Sequence, residues 1–137
     1  MSKILVVDDE APIRHLLDIF CRSEGHQVEI ACDGLEAAYK IQRERYDLIV
    51  TDMTMEPIPG EELIACVRLI SPETRILALS GWSEEDTRTQ AETAGADLYM
   101  SKPFTRDEFT AALRHFCLRS EATTNKRTAD TPCAAAA

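Results

Sequence analysis

The chain has 137 residues, 45% of them hydrophobic, and a formal net charge of −9. This length suits one globular domain with a real core, and no apolar run approaches the ~20 residues that a membrane span requires. The acidic balance and the scarcity of clustered Lys and Arg argue against binding to nucleic acid, and weakly favour basic partners or cations.

The cysteines are odd in number and none of them forms a CxxC pair: Cys21, Cys32, Cys66, Cys117 and Cys133. Because most lie within apolar patterns, we expect free thiols in a reducing compartment and no zinc site. The N-terminal residues lack the basic start and long apolar middle of a secretory signal. We therefore expect a cytoplasmic location.

Strand-like apolar runs recur along the chain. The predicted strands are Lys3–Val7, Gln27–Ala31, Asp47–Thr51, Arg75–Leu79 and Asp97–Met100. The first, third and fourth are almost wholly apolar, which is typical of strands covered on both faces.

Amphipathic helical patterns separate these runs. The first follows Pro12, which suits a first helical turn, and is expected to end at Gly25. Three others are marked by apolar residues within 35–41, 63–70 and 109–117. The segment 84–94 offers only small apolar residues, so we expect a marginal helix there.

This alternation predicts an α/β fold of the flavodoxin-like, doubly wound type, with five parallel strands in the order 2-1-3-4-5 and five helices. The predicted domain covers residues 1–119, and residues 120–137, which contain no large apolar side chain, are expected to form a flexible tail. Ligands of such sheets bind at the carboxyl ends of the strands, at the switch point between the first and third.

Polar residues follow four of the predicted strands. Asp8 and Asp9 follow the first strand, Asp52 the third and Ser80 the fourth, while Lys102 lies two residues beyond the fifth. Each has an ordinary explanation alone: a helix cap, a loop or turn residue, or a surface lysine. Their coincidence at one edge of a parallel sheet favours a shared site.

Such a site needs a compensating charge. Two like charges ~4 Å apart repel by about 4 kcal/mol at an effective dielectric near 20. Protonation or a cation relieves this repulsion, and carboxylate oxygens suit Mg²⁺ best. Lys102 and Ser80 supply the ammonium and hydroxyl that a phosphoryl oxygen requires. Glu10 is expected outside the site, at the start of the first helix.

Four stretches together resemble the receiver domain of two-component response regulators, of the single-domain chemotaxis-Y type. They are "VVDDE" at 6–10, "DLIVTDMTMEPIPG" at 47–60, "ILALSGW" at 76–82 and "AGADLYMSKPF" at 94–104. The resemblance spans about residues 1–119, with the motifs in the family's order and spacing.

The resemblance implies a phosphoacceptor and a metal site. Asp52 would take a phosphoryl group from a phosphohistidine of a sensor histidine kinase or a histidine phosphotransfer protein. Asp9 would bind Mg²⁺ directly together with Asp52, Asp8 would do so through water, and the carbonyl of Thr54 would be a further ligand.

The resemblance also implies a switch. Lys102 would pair with the phosphoryl group, and the bond between Lys102 and Pro103 would be cis. Ser80 and Tyr99 would reshape the face formed by the fourth helix, fifth strand and fifth helix. The expected oligomeric state is a monomer or a weak dimer.

The roles of two positions near the expected site, Glu56 and Trp82, do not follow from the motifs. Receivers commonly carry Pro four residues after the phosphoacceptor, where this chain has Glu56, which we expect to face solvent. Trp82, two residues past Ser80, either packs on the sheet edge or shields the acyl phosphate from water.

The preferred function is a stand-alone phosphoacceptor that changes its affinity for a partner protein, and not an enzyme acting on free metabolites. One alternative is an adaptor of receiver fold that works without phosphorylation. Another is a hydrolase with an aspartyl-phosphate intermediate, which Thr54 disfavours because such phosphatases usually have a second acid there.

Overall fold

The structure, a computed structural model, describes residues 2–81 and 85–124. Strands and helices alternate along it without exception. The strands are β1 (Lys3–Val7), β2 (Gln27–Ala31), β3 (Leu48–Asp52), β4 (Arg75–Ser80) and β5 (Leu98–Ser101). The helices are α1 (Ala11–Ser23), α2 (Gly34–Arg43), α3 (Gly60–Ile70), α4 (Glu85–Ala94) and α5 (Arg106–Thr124).

The strands form one parallel sheet in the order β2-β1-β3-β4-β5, which confirms the predicted topology. β1 and β2 have the predicted bounds and β4 ends one residue later, at Ser80, whereas β3 and β5 each begin and end one residue later than predicted. The added C-terminal residues Asp52, Ser80 and Ser101 are polar, but their backbones still pair: Asp52 lies opposite Leu79, and Ser80 opposite Ser101. Ladder pairing therefore carries the strands past the end of the apolar run.

The central strands are buried over almost their whole length. One face of the sheet packs against α2 and α3 in a cluster that includes Leu5, Ile49, Leu63, Ile64 and Ile76. Each fully buried side chain of this size contributes about 1.5–3 kcal/mol relative to an exposed one. This rigid layer holds the carboxyl ends of β1 and β3 in fixed positions.

α1 begins and ends as its sequence predicts. Pro12 lies in the first turn, and Gly25 follows the helix with φ +88°, a left-handed conformation that glycine adopts without strain. α1 buries Leu17 and Cys21. The helix therefore leaves directly from the end of β1, with Asp8, Asp9 and Glu10 in the short connection.

α4 buries few of its described side chains, as its composition predicts. Among residues 87–94, whose side chains are described, Ala91 alone is buried. Beyond its end, the Arg68 side chain of α3 donates hydrogen bonds to the carbonyl of Gly95 (2.9 Å) and to Asp97 (2.7 Å). The helix is thus tied at its C-terminal end and weakly packed along its length.

Residues Ser2–Phe104 form one compact unit, and residues 105–124 belong to a second. In the second unit Thr105 and Glu108 form a reciprocal capping box, with bonds of 2.8 and 3.0 Å, and the buried residues of α5 include Phe109 and Leu113. α5 continues to Thr124, so residues 120–124 of the predicted tail are helical. Residues 125–137 lie outside the described part.

No helix within residues 2–81 and 85–124 is both long and apolar enough to cross a lipid bilayer. Three of the cysteines, Cys21, Cys32 and Cys66, are free thiols, whereas the side chains of Cys117 and Cys133 lie outside the description.

Candidate functional site

The parallel register brings the predicted acidic residues to one edge of the sheet. Val7, the last residue of β1, lies opposite Thr51 of β3. Asp8 and Asp52 each follow one member of this pair, so both arrive at the same level. The switch point between β1 and β3 is where doubly wound sheets bind their ligands.

Three carboxylates converge there. Asp8, Asp9 and Asp52 each offer an oxygen, and these oxygens all lie within 4.8 Å of one another. Asp8 and Asp52 are buried, whereas Asp9 is exposed. An all-oxygen donor set with one open side fits Mg²⁺, which retains several waters and takes only a few carboxylates from a protein.

The ammonium of Lys102 lies among these carboxylates and partly compensates their charge. Its Nζ lies 3.2 Å from Asp8 Oδ2, 3.5 Å from Asp52 Oδ1 and 3.7 Å from Glu10 Oε1. Its backbone N–H donates to the carbonyl of Ser80 at 2.7 Å, which ties the residue to the end of β4. The peptide bond from Lys102 to Pro103 is cis.

Glu10 corrects one expectation from the sequence. It does precede α1 as its N-cap residue, but its side chain makes no capping bond. The carboxylate instead reaches Lys102 at 3.7 Å, so Glu10 belongs to the site. In the sequence, the one indication of this role was that Glu10 directly follows the two acidic residues Asp8 and Asp9. Only the folded position of Lys102 shows where that acid points.

Burial dominates the electrostatics of the site. It raises the pKa of Asp52 to about 6, against a usual value of 3.8; Lys102 opposes this rise and the charge of Asp8 adds to it. Burial also raises the pKa of Asp8. Burial alone would lower the pKa of Lys102, but the charges of Asp52 and Asp8 outweigh it and raise the pKa. One ammonium therefore does not neutralise the buried carboxylates fully, and a divalent cation would be favoured.

The loop after β3 shapes the approach to Asp52. The backbone N–H of Thr54 donates to the Asp52 carboxylate. A Cβ on Gly60 would meet the Asp52 carbonyl oxygen at 2.3 Å, so only glycine lets the loop fold back onto the strand end. The loop also contains a cis bond between Glu56 and Pro57, which the sequence did not predict.

A groove of about 420 Å³ opens beside the carboxylates. Its lining residues are Asp9, Met53, Thr54, Met55, Glu56 and Pro59. Glu56 is exposed, as expected, and faces this groove. The carboxylate cluster is therefore accessible from the loop side.

The two proposed switch residues are both buried. Ser80 ends β4 with 0% exposure, and Tyr99 lies in β5 opposite Ala78 with 8% exposure. The guanidinium of Arg88 on α4 lies 5.3 Å from the Tyr99 ring centroid, close enough for a cation–π contact. Trp82 lies outside the described residues.

Known proteins share both the sequence pattern and the fold. The family model of the response regulator receiver domain matches residues 4–114. Sporulation initiation phosphotransferase F of Bacillus subtilis is 32% identical over 115 residues, which are 84% of this chain and 93% of that protein. The alkaline phosphatase synthesis transcriptional regulatory protein PhoP of the same organism is 39% identical over 120 residues, 88% of this chain and 50% of that protein.

Solved structures agree. The chemotaxis response regulator CheY4 of Vibrio cholerae superimposes with a TM-score of 0.80 at 31% identity, covering 85% of this chain and 98% of that one. The chain thus spans almost the full length of some relatives and about half the length of the transcriptional regulators that it matches. Sequence, topology and the arrangement at the strand ends agree, and the chain belongs to the response regulator receiver domain family.

Proposed function

We propose that this receiver accepts a phosphoryl group on Asp52 from a phosphohistidine of a sensor histidine kinase or a histidine phosphotransfer protein. The observation that carries the proposal is the meeting of three carboxylates with one ammonium: Asp8, Asp9 and Asp52 converge within 4.8 Å, and Lys102 Nζ lies 3.5 Å from Asp52. Asp8, Asp9, Asp52 and the Thr54 carbonyl would hold Mg²⁺. Bound there, the ion would neutralise charge on the transferring phosphoryl group.

The chain's own residues position the transfer. An oxygen of Asp52 attacks phosphorus, a P–O bond forms, and the P–N bond to the histidine breaks in line with it. The leaving imidazole keeps the electron pair of that bond and takes a proton. Lys102 and Ser80 donate to the phosphoryl oxygens. Later attack by water on phosphorus breaks the P–O bond, releases phosphate and restores the Asp52 carboxylate.

The output would pass through the region of β5 and α4. Ser80 and Tyr99 form the switch pair in this proposal, and between residues 87 and 94 of α4 only Ala91 is buried. Weakly packed elements are the ones that change conformation most readily. The altered face would then change affinity for a partner protein in the cytoplasm. The chain acts on itself in this scheme and not on free metabolites.

Incubation with phosphoramidate and Mg²⁺, followed by intact-mass measurement, tests this function. We expect a gain of one phosphoryl group that Asp52→Asn abolishes. Asp47→Asn, a matched change beside the other end of β3, should leave the gain intact. Absence of phosphorylation with phosphoramidate and with phosphorylated histidine kinases would overturn the proposal and favour the adaptor function.

A further inference from the structure

We propose that Glu10 is a positioning residue, which holds the ammonium of Lys102 at the open side of the site where it meets a phosphoryl group. This inference rests on the proposed function of Asp52. It gives a role in that function to Glu10, which the sequence placed only at the start of the first helix.

The contacts of Lys102 carry the argument. An ammonium has three N–H donors. Among the described residues, three carboxylates lie within 4.0 Å of Nζ: those of Asp8, Asp52 and Glu10. Asp8 and Asp52 are buried and draw the ammonium inward, whereas the Glu10 side chain is 63% exposed and draws it toward solvent.

Glu10 is also well placed to hold that position. Its backbone N–H donates to Asp8 Oδ1 at 2.9 Å, and its carbonyl accepts from the Arg14 N–H at 3.0 Å as α1 begins. The Arg14 guanidinium donates to the Asp8 carbonyl at 2.7 Å. The backbone of Glu10 is therefore fixed on both sides. Since its side chain caps nothing, its carboxylate remains available to Lys102.

Two effects of removing the Glu10 charge have opposite signs. Loss of a negative charge near the groove favours the approach of an anionic donor, which raises the rate of phosphorylation. Loss of the contact lets Lys102 withdraw toward Asp8 and Asp52, which lowers the rate. The second effect is the larger one for Glu10→Gln.

Glu56→Gln is the matched control. Glu56 lines the groove next to Asp9 but is not among the carboxylates within 4.0 Å of Lys102. The same isosteric change there removes one negative charge near the same groove. It reports the effect of charge without the contact.

The first measurement is the rate constant for phosphorylation of Asp52 by acetyl phosphate at saturating Mg²⁺ and low salt. We expect Glu10→Gln to lower it about two- to fivefold, as suits a partly exposed ion pair, and Glu56→Gln to leave it unchanged or raise it. In a Lys102→Met background, Glu10→Gln should no longer lower the rate. A rate that rises equally in both single variants, or an undiminished fall in the Lys102→Met background, would overturn the proposal.

The second measurement needs no phosphorylation. In metal-free protein with ¹³C-labelled lysine, the Lys102 Cε resonance should move in Glu10→Gln and remain in place in Glu56→Gln, with the urea midpoints of both variants near that of the wild type. An unmoved resonance would overturn the proposal even if Asp52 is phosphorylated. If the wild type takes up no phosphoryl group, the proposed function fails, and this resonance alone decides whether Glu10 holds Lys102.

Discussion

Replacing Asp52 by Asn is expected to stabilise the metal-free protein at neutral pH. Burial raises the pKa of Asp52 from 3.8 to about 6 in the folded state. At pH 7.5 the carboxylate is ionised in both the folded and the unfolded state. Because its pKa is higher in the folded state, ionisation costs more free energy there than in the unfolded chain. A difference of about 2 pKa units corresponds to about 3 kcal/mol, and we expect a gain of about 2–3 kcal/mol in the free energy of unfolding.

The sign of the pH dependence follows from the same shift. Because the folded pKa is the higher one, the contribution of Asp52 to the stability of the wild type is most favourable below its unfolded pKa and is lost as the pH rises through its folded pKa. The gain in the free energy of unfolding of Asp52→Asn over the wild type should therefore be small near pH 4 and reach its full size by about pH 7.

Urea unfolding in EDTA at pH 4.5 and pH 7.5 measures this difference. Glu92→Gln, at an exposed position on α4, controls for the change in net charge. At pH 7.5, Mg²⁺ should reduce the difference in the free energy of unfolding between Asp52→Asn and the wild type, because it stabilises the folded wild type by mass action. Equal stability of Asp52→Asn and the wild type at pH 7.5, or an equal gain in the free energy of unfolding at both pH values, would refute a burial penalty at Asp52.

Three further predictions concern the site and its surroundings. Asp9→Ala should nearly abolish Mg²⁺-dependent phosphorylation in a mass assay, and the urea midpoint should change little because the side chain is exposed. A lower urea midpoint with normal phosphorylation would instead show that Asp9 serves as a helix cap. Gly60→Ala should destabilise the fold by about 1–3 kcal/mol in urea, because its Cβ would lie 2.3 Å from the Asp52 carbonyl oxygen. Gly81→Ala, whose Cβ would meet nothing within 4 Å, is its control, and equal effects would contradict the steric argument. Trp82→Ala should shorten the lifetime of the phosphorylated protein, and an unchanged rate of autodephosphorylation would exclude a shielding role.

Much of the architecture was determined by local patterns in the chain. Apolar runs alternating with helical periodicity specify a parallel sheet, and the chirality of its connections leaves few topologies to choose from. The convergence of Asp8 and Asp52 follows from that topology, because parallel strands end at one edge. The weakness of α4 was also readable, since residues 84–94 contain no large apolar side chain.

Other features depend on contacts between residues far apart in the chain. The extension of β3 to Asp52 comes from pairing with β4, and the continuation of α5 past Arg119 was not indicated by apolar spacing. The raised pKa of Asp52 comes from the burial of the strand end, which composition does not reveal. The clearest case is Glu10: its neighbours along the chain suggest only a helix start, but Lys102, 92 positions further along, lies 3.7 Å away in the folded protein. Local sequence determines which elements form and where the acids stand, because periodicity and chain direction act over a few residues. Which charges meet, and at what cost, is decided by the tertiary structure, because both burial and Coulomb energy depend on distances that exist only after folding.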